Sequence, residues 1–262
     1  MARSRTQQPA WFTAVNPDVL LNLVWHRPLA YSGAVEDADL PVPLARRLRL
    51  FGVACARMVW VMLSTDLCNA VRLSECLADG RATAADLSAA AIRMRYGPTA
   101  FRHHAADAAG WASTGYFQTG QGLAHPPREL MWNPVEAARS AAKALATRAA
   151  GPAPAGQPTS SEWEAKWNAT FATARAHQAE LVRDIFPPPG YAPRVEPDWR
   201  TSTVVALASQ MDGSGDFSAV PILADALQDA GCDDAVMLDR CRAPAGVHCR
   251  GNWVVDSVLG RE

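Results

Sequence analysis

Apolar residues along this chain recur mostly three and four positions apart, the spacing that puts them on one face of a helix. The strongest run is 44–63, where Leu44, Leu48, Phe51, Cys55, Val59 and Met62 form a stripe and Arg46, Arg47, Arg49 and Arg57 lie off it. Its second half is apolar nearly all round, which predicts a central core helix. The stretch from Ser161 to Phe186 repeats the pattern through Trp163, Trp167, Thr170, Phe171, Ala174, His177, Leu181 and Ile185. Start and stop signals frame the other helices. Asn16-Pro17 predicts a helix start, because Asn is a favoured cap and Pro fits the first turn; Leu20, Leu21, Val24 and Trp25 give that helix its apolar face. Residues Asp66 to Ala78 read as a helix closing at Gly80, a good residue beyond a helix end. Thr83 and Asp86 stand three apart, like a capping box with Asp in place of Glu, and open a helix to about Arg95. Pro98 to Ala109 is predicted helical, and Asn133-Pro134 predicts the start of an Ala-rich helix ending at Ala150. Four short helices follow, near 202–211, 220–230, 233–242 and 252–259, with Asp233 expected to cap the third.

The intervening stretches carry turn residues. Residues 1–10 read as a frayed end and 28–43 as a loop. Residues 113–134 read as irregular, and 187–198, with five prolines, as extended. No stretch alternates apolar and polar residues long enough to make a strand. The expected fold class is all-α, a compact multi-helix bundle or array with no substantial sheet.

Composition adds organisation. The 262 residues, 49% apolar and 19% charged, suit one large domain or two small ones. Gly151 to Pro158 (GPAPAGQP) has linker composition. It separates a helical half over 1–150 from one over 159–262, or is a long loop within a single domain. Residues 1–150 hold 16 basic and 11 acidic residues, a net of +5, and 151–262 hold 9 and 15, a net of −6. The whole chain is near neutral at −1, so no strong field draws it to nucleic acid or a membrane. Docking of the two halves through opposite charge is the plainer account of the asymmetry; the basic half leaves a nucleic-acid-associated regulator as an alternative. No run of about 18 apolar residues predicts a membrane helix. No apolar segment follows the charged start before Pro9, so no secretory signal is expected. A cytoplasmic chain whose six cysteines are reduced thiols is the consequence.

Candidate chemistry is sparse. Cys232, Cys241, His248 and Cys249 fall within 18 residues and could supply the soft ligands that zinc takes. Their spacing lacks the close cysteine pair of a zinc knuckle, and free cysteines commonly serve as small buried apolar groups. No cofactor is expected, with zinc the one exception the thiols allow. His103 and Asp107 would share a helix face, with no third ligand evident. Asp212 to Phe217 imitates the start of a calcium loop, but Phe217 and Leu223 occupy the positions that need Gly and Glu. Gln118 to Gly122 is Gly-rich without the Lys-Ser/Thr of a phosphate loop. Asp225 and Asp229, four apart on one helix, repel unless a cation such as Arg242 or Arg250 lies between them. Nine tryptophans serve either core or contact surfaces.

Three stretches carry a resemblance. They are Leu48 to Arg57 with Trp60; Ala78 to Thr83; and a C-terminal block holding Leu181 to Phe186, Pro197-Asp198-Trp199, Leu223 to Asp233, Cys241-Arg242, His248 and Arg250 to Asp256. Over roughly 15–90 and 175–262 the chain resembles a large paralogous family of planctomycete-type bacteria. The resemblance implies a fold unit and a bacterial cytosolic setting, and it brings no activity. The chain departs from the family pattern where Ala56 follows Cys55 and where Asn252 precedes Trp253, which counts against a fixed cysteine ligand. The expected function is therefore non-enzymatic: a helical protein-interaction or scaffolding module whose partner is another protein. Its expected contact residues are Arg46, Arg47 and Arg49 on one helix, and Asp225, Asp229, Arg242 and Arg250 in the C-terminal block.

Overall fold

The computed structural model describes residues 7–25, 42–87, 89–90, 104–113, 127–151, 159–243 and 247–261. The fold is all-α, and among the described residues none lies in a strand. The helices are α1 (Gln7–Thr13), α2 (Pro17–Trp25), α3 (Val42–Arg57), α4 (Thr65–Ala78), α5 (His104–Ser113), α6 (Pro127–Ala150), α7 (Ser161–Ile185), α8 (Ser202–Ser214), α9 (Val220–Asp229), α10 (Ala235–Cys241) and α11 (Trp253–Leu259).

Local chemistry accounts for many of their ends. The Ser64 side chain accepts from the Leu67 amide and starts α4. Thr83 and Asp86 form the expected box: the Thr83 amide donates to Asp86 at 2.9 Å, and the Asp86 amide donates back to Thr83 Oγ1 at 3.2 Å. Gly215, with φ of 74°, ends α8 in the left-handed conformation that glycine adopts without steric cost. At α10 the cap is Asp234 rather than Asp233; its Oδ1 accepts from the Val236 and Met237 amides.

Other boundaries moved. Residues 7–10, expected to fray, are helical because they belong to α1, which is anchored by the buried Trp11. The run 44–63 is not one helix. After Arg57 the Met58 and Val59 amides reach back three residues instead of four, and a 3₁₀ turn covers Trp60–Met62. The Arg57 and Arg72 guanidiniums each stand 5.1 Å from the Trp60 ring centre and hold that turn in place. Helix α6 begins at Pro127, so Pro134 lies inside it. An interior proline forfeits a backbone bond and costs about 3 kcal/mol, which packing must offset. Pro134 is buried against Gly52 of α3: a Cβ added to Gly52 would lie 3.5 Å from Pro134 Cα and 3.6 Å from Ala112 Cα.

Contacts group the chain into two units, 30–178 and 1–29 with 179–262. The division falls inside α7, not at the linker-like 151–158, of which 152–158 lies outside the described residues. Both flanks of that stretch belong to one unit for a visible reason. The Trp163 indole N–H donates to the Gly151 carbonyl at 3.1 Å, and the Trp167 indole to Thr147 Oγ1 at 3.3 Å.

In the 30–178 unit, α3 packs on α4, α5 and α6, and α5 also packs on α4 and α6. Small residues line these contacts: Ala56, Ala70, Ala109, Ala112 and Ala137 are buried with Val53, Leu67 and Val71. Two polar bonds lock the interior. Ser74 Oγ donates to the Ala112 carbonyl at 2.7 Å, and Gln178 Nε2 to the Ala138 carbonyl at 2.7 Å.

In the other unit α11 is central. Every residue from Trp253 to Val258 is buried, and α11 packs against α8 and α10 while α9 packs against α8 and α10. Val204, Met211, Phe217, Leu223, Leu227 and Met237 close the core around it.

Candidate functional site

The polar centre of the second unit is Asp184, near the end of α7. Leu181 and Ile185 direct that face of the helix inward, and Asp184 goes with them to 0% side-chain exposure. A buried carboxylate must be met by donors. Asp184 Oδ1 accepts from Asn252 Nδ2 at 2.6 Å and lies 2.8 Å from His248 Nδ1 and 3.3 Å from Arg240 Nη2. Oδ2 accepts from the Cys249 amide at 3.0 Å. Asn252 acts twice, because its Oδ1 also caps α11 by accepting from the Val254 and Val255 amides, each at 3.0 Å. Arg240 reaches further, to Glu180 Oε2 and the Val247 carbonyl, both at 3.4 Å. Glu180 in turn receives Arg183 Nη1 at 2.6 Å. Arg183 then donates to the Trp11 and Ala14 carbonyls at 2.8 and 2.5 Å, closing the end of α1.

The carboxylate also sets the histidine. An acceptor at Nδ1 requires the proton there and leaves a lone pair on Nε2 of the neutral ring. The His248 side chain is only 6% exposed, and among the described residues its Nε2 has no hydrogen-bond partner.

His248 also lines an open pocket of about 630 Å³ with Asp216, Ser218, Pro221 and Arg242. Asp216 Oδ1 accepts from the Ser218 amide at 2.9 Å. Bonds from the Ser218 amide and then its hydroxyl hold the Asp216 carboxyl below its ordinary 3.8. Arg242 Nη2 donates to Asp225 Oδ1 at 2.6 Å and to Gln228 Oε1 at 2.7 Å.

The other expected residues are placed as follows. Arg242 is the cation beside Asp225, while Asp229 stands exposed. Arg250 goes elsewhere: it binds the side chain and carbonyl of Asp212, which also receives Arg261. The calcium-like stretch therefore has its first carboxylate occupied by two arginines. Arg46, Arg47 and Arg49 are half-buried rather than displayed as an open face. Arg46 Nη2 meets Asp79 Oδ1 at 2.9 Å, and Arg49 Nη1 lies 3.5 Å from Ser74 Oγ. His104 stands 3.7 Å from Asp107, both substantially exposed; His103 and 118–122 lie outside the described residues.

Cys232 and Cys241 are buried among the apolar residues around α11. Burial first, and then the charge of Asp184, push the Cys241 thiol up to about 12. Burial also raises Cys232. Thiols held in this way are inert rather than nucleophilic. Among the described residues no three His, Cys, Asp or Glu side chains form a group that could hold a metal ion.

Asp184, Arg183 and Arg240 organise this region and were not among the expected site residues. The sequence did hold a signal for the first. Asp184 lies seven after His177 and three after Leu181, so a charge stands on the apolar stripe of its helix, where it needs buried partners. Comparison with family models, curated proteins and solved structures gives no match.

Proposed function

We propose that this chain is a non-enzymatic helical module that binds another protein through the corner between α1 and α2. The carrying observation is the exposure of three large apolar side chains within eight residues: Phe12 at 63%, Val15 at 68% and Val19 at 41%. Apolar groups displayed together are typical of contact surfaces. The corner is held from behind. Trp11, Leu20 and Leu21 are buried, and Arg183 fixes the Trp11 and Ala14 carbonyls. A surface already in one conformation loses little entropy on binding. No described helix is long and apolar enough to cross a membrane.

The test is site-specific photo-crosslinking in cells with p-benzoylphenylalanine placed at Phe12, and at the exposed Thr203 of α8 as control. A discrete heavier adduct from position 12 and none from 203 is the expected result. Sedimentation of the pure chain then tells a second copy from a different protein. No adduct at position 12, or the same smear from both positions, overturns the reading.

A further inference from the structure

Helices α9 and α10 each bury one side and leave the other in water. Leu223, Ala224 and Leu227 of α9, with Met237, Leu238 and Cys241 of α10, belong to the core around α11. On the outer sides stand two large apolar side chains, Ile222 at 58% and Val236 at 38% exposure. Ile222, Asp225 and Asp229 are three and four positions apart, so they share one side of α9, and by the same spacing Val236 and Asp239 share one side of α10. The two helices pack on each other. Arg242, at the end of α10, donates to Asp225 and Gln228 of α9, so the outer sides adjoin.

Charge on this surface is one-sided. Asp225, Asp229, Asp233 and Asp239 are exposed, and among the described residues Asp229, Asp233 and Asp239 have no ion pair. The two arginines of the same stretch do not offset them. Arg242 is committed to Asp225, and Arg240, with 9% of its side chain exposed, turns inward to Glu180 and Asp184. Carboxylates alone attract any cation; the apolar pair among them adds a demand for apolar contact. The form of the partner follows from what the surface lacks. Among the described residues there is no strand whose edge could pair with an extended segment. A segment laid on these helices must therefore satisfy its own backbone hydrogen bonds, as a helix does. The ten residues of α9 run about 15 Å, the length of about three turns of a partner helix.

We infer that the outer side of α9 and α10 docks a basic amphipathic helix of another protein. Its apolar stripe covers Ile222 and Val236, and its Lys or Arg side chains meet Asp229, Asp233 and Asp239. This surface uses none of the residues of the α1–α2 corner, so a chain engaged at both bridges two proteins.

Fluorescence anisotropy with the full chain tests this. The probe is a labelled peptide of leucine and lysine, about 14 residues long, with its leucines three and four apart. A peptide of the same composition with alternating leucines is the control. The helical peptide binds about tenfold or more tighter than the alternating one. Ile222→Ser combined with Val236→Ser removes that preference. Asp229→Asn combined with Asp233→Asn and Asp239→Asn weakens binding about tenfold and flattens its dependence on salt. All five side chains are exposed, so circular dichroism of both variants should match the parent. Phe12→Ser, which removes the largest side chain of the α1–α2 corner, leaves the peptide affinity unchanged, so failure at one surface is told from failure at the other. No binding at about 100 µM, equal affinity for the two peptides, or unchanged affinity in both combined variants overturns the proposal. So does self-association of the chain that Ile222→Ser with Val236→Ser abolishes, because the occupant is then a second copy.

Discussion

At the scale of single residues, Cys241 shows how surroundings reset an ordinary group. Its thiol moves from 9.0 to about 12 through burial and the neighbouring Asp184 charge. The folded state therefore holds the proton more tightly than the unfolded chain. Below about pH 9 both states are protonated and the full contribution to stability is present. As pH rises from about 9 toward 12 the unfolded thiol ionises first, and stability is lost. Tyr191 acts with the same sign, raised by burial and by its 2.6 Å bond to Asp234. Urea midpoints should therefore fall between about pH 8 and about pH 10.5, and Cys241→Ala should make that fall shallower. An identical pH slope in the variant would show that the thiol does not carry it. Iodoacetamide should label Cys241 only after unfolding. Residue-level features such as the Thr83–Asp86 box follow from types and spacing a few positions apart, which is why the sequence displays them.

At the scale of elements, one carboxylate ties three helices together. Asp184 of α7 meets Arg240 of α10 and, through Asn252, the start of α11. Removing one partner of a buried charged set leaves the others unsatisfied, which costs about 3–5 kcal/mol. Asp184→Ala should show a loss of that size in chemical denaturation. Asp184→Asn, which keeps an oxygen for either Asn252 or the Cys249 amide, should lose less. A change under about 0.5 kcal/mol, the level of an ordinary surface substitution, would remove Asp184 from this role. Element boundaries were less legible than element existence. The Asn133-Pro134 start signal proved internal to α6, because Pro134 has buried contacts to offset its missing bond. The stripe over 44–63 broke after Arg57, where Trp60 is held between two arginines brought from α3 and α4.

At the scale of the whole molecule, chain order and spatial grouping part company. Residues 1–29 join 179–262, and the Pro/Gly-rich 151–158 falls within the span of the other unit. A protease site engineered into 152–158 and cleaved should therefore leave two fragments that elute together without denaturant, because α1 and α2 on one fragment share a unit with α8 to α11 on the other. Separation of the fragments in native buffer would contradict this grouping. The helical class was present in the sequence, since apolar periodicity acts through neighbours three and four apart. The cap at Thr83 follows from an equally local rule. The grouping of the ends, the inward turn of Arg46 and Arg49, the transfer of Arg250 from Asp225 to Asp212 and the union of Asp184 with His248 depend on residues tens of positions apart. Several partners of matching charge exist for each such group along the chain. Only tertiary packing, which decides which of them arrive within about 3 Å after desolvation, selects one.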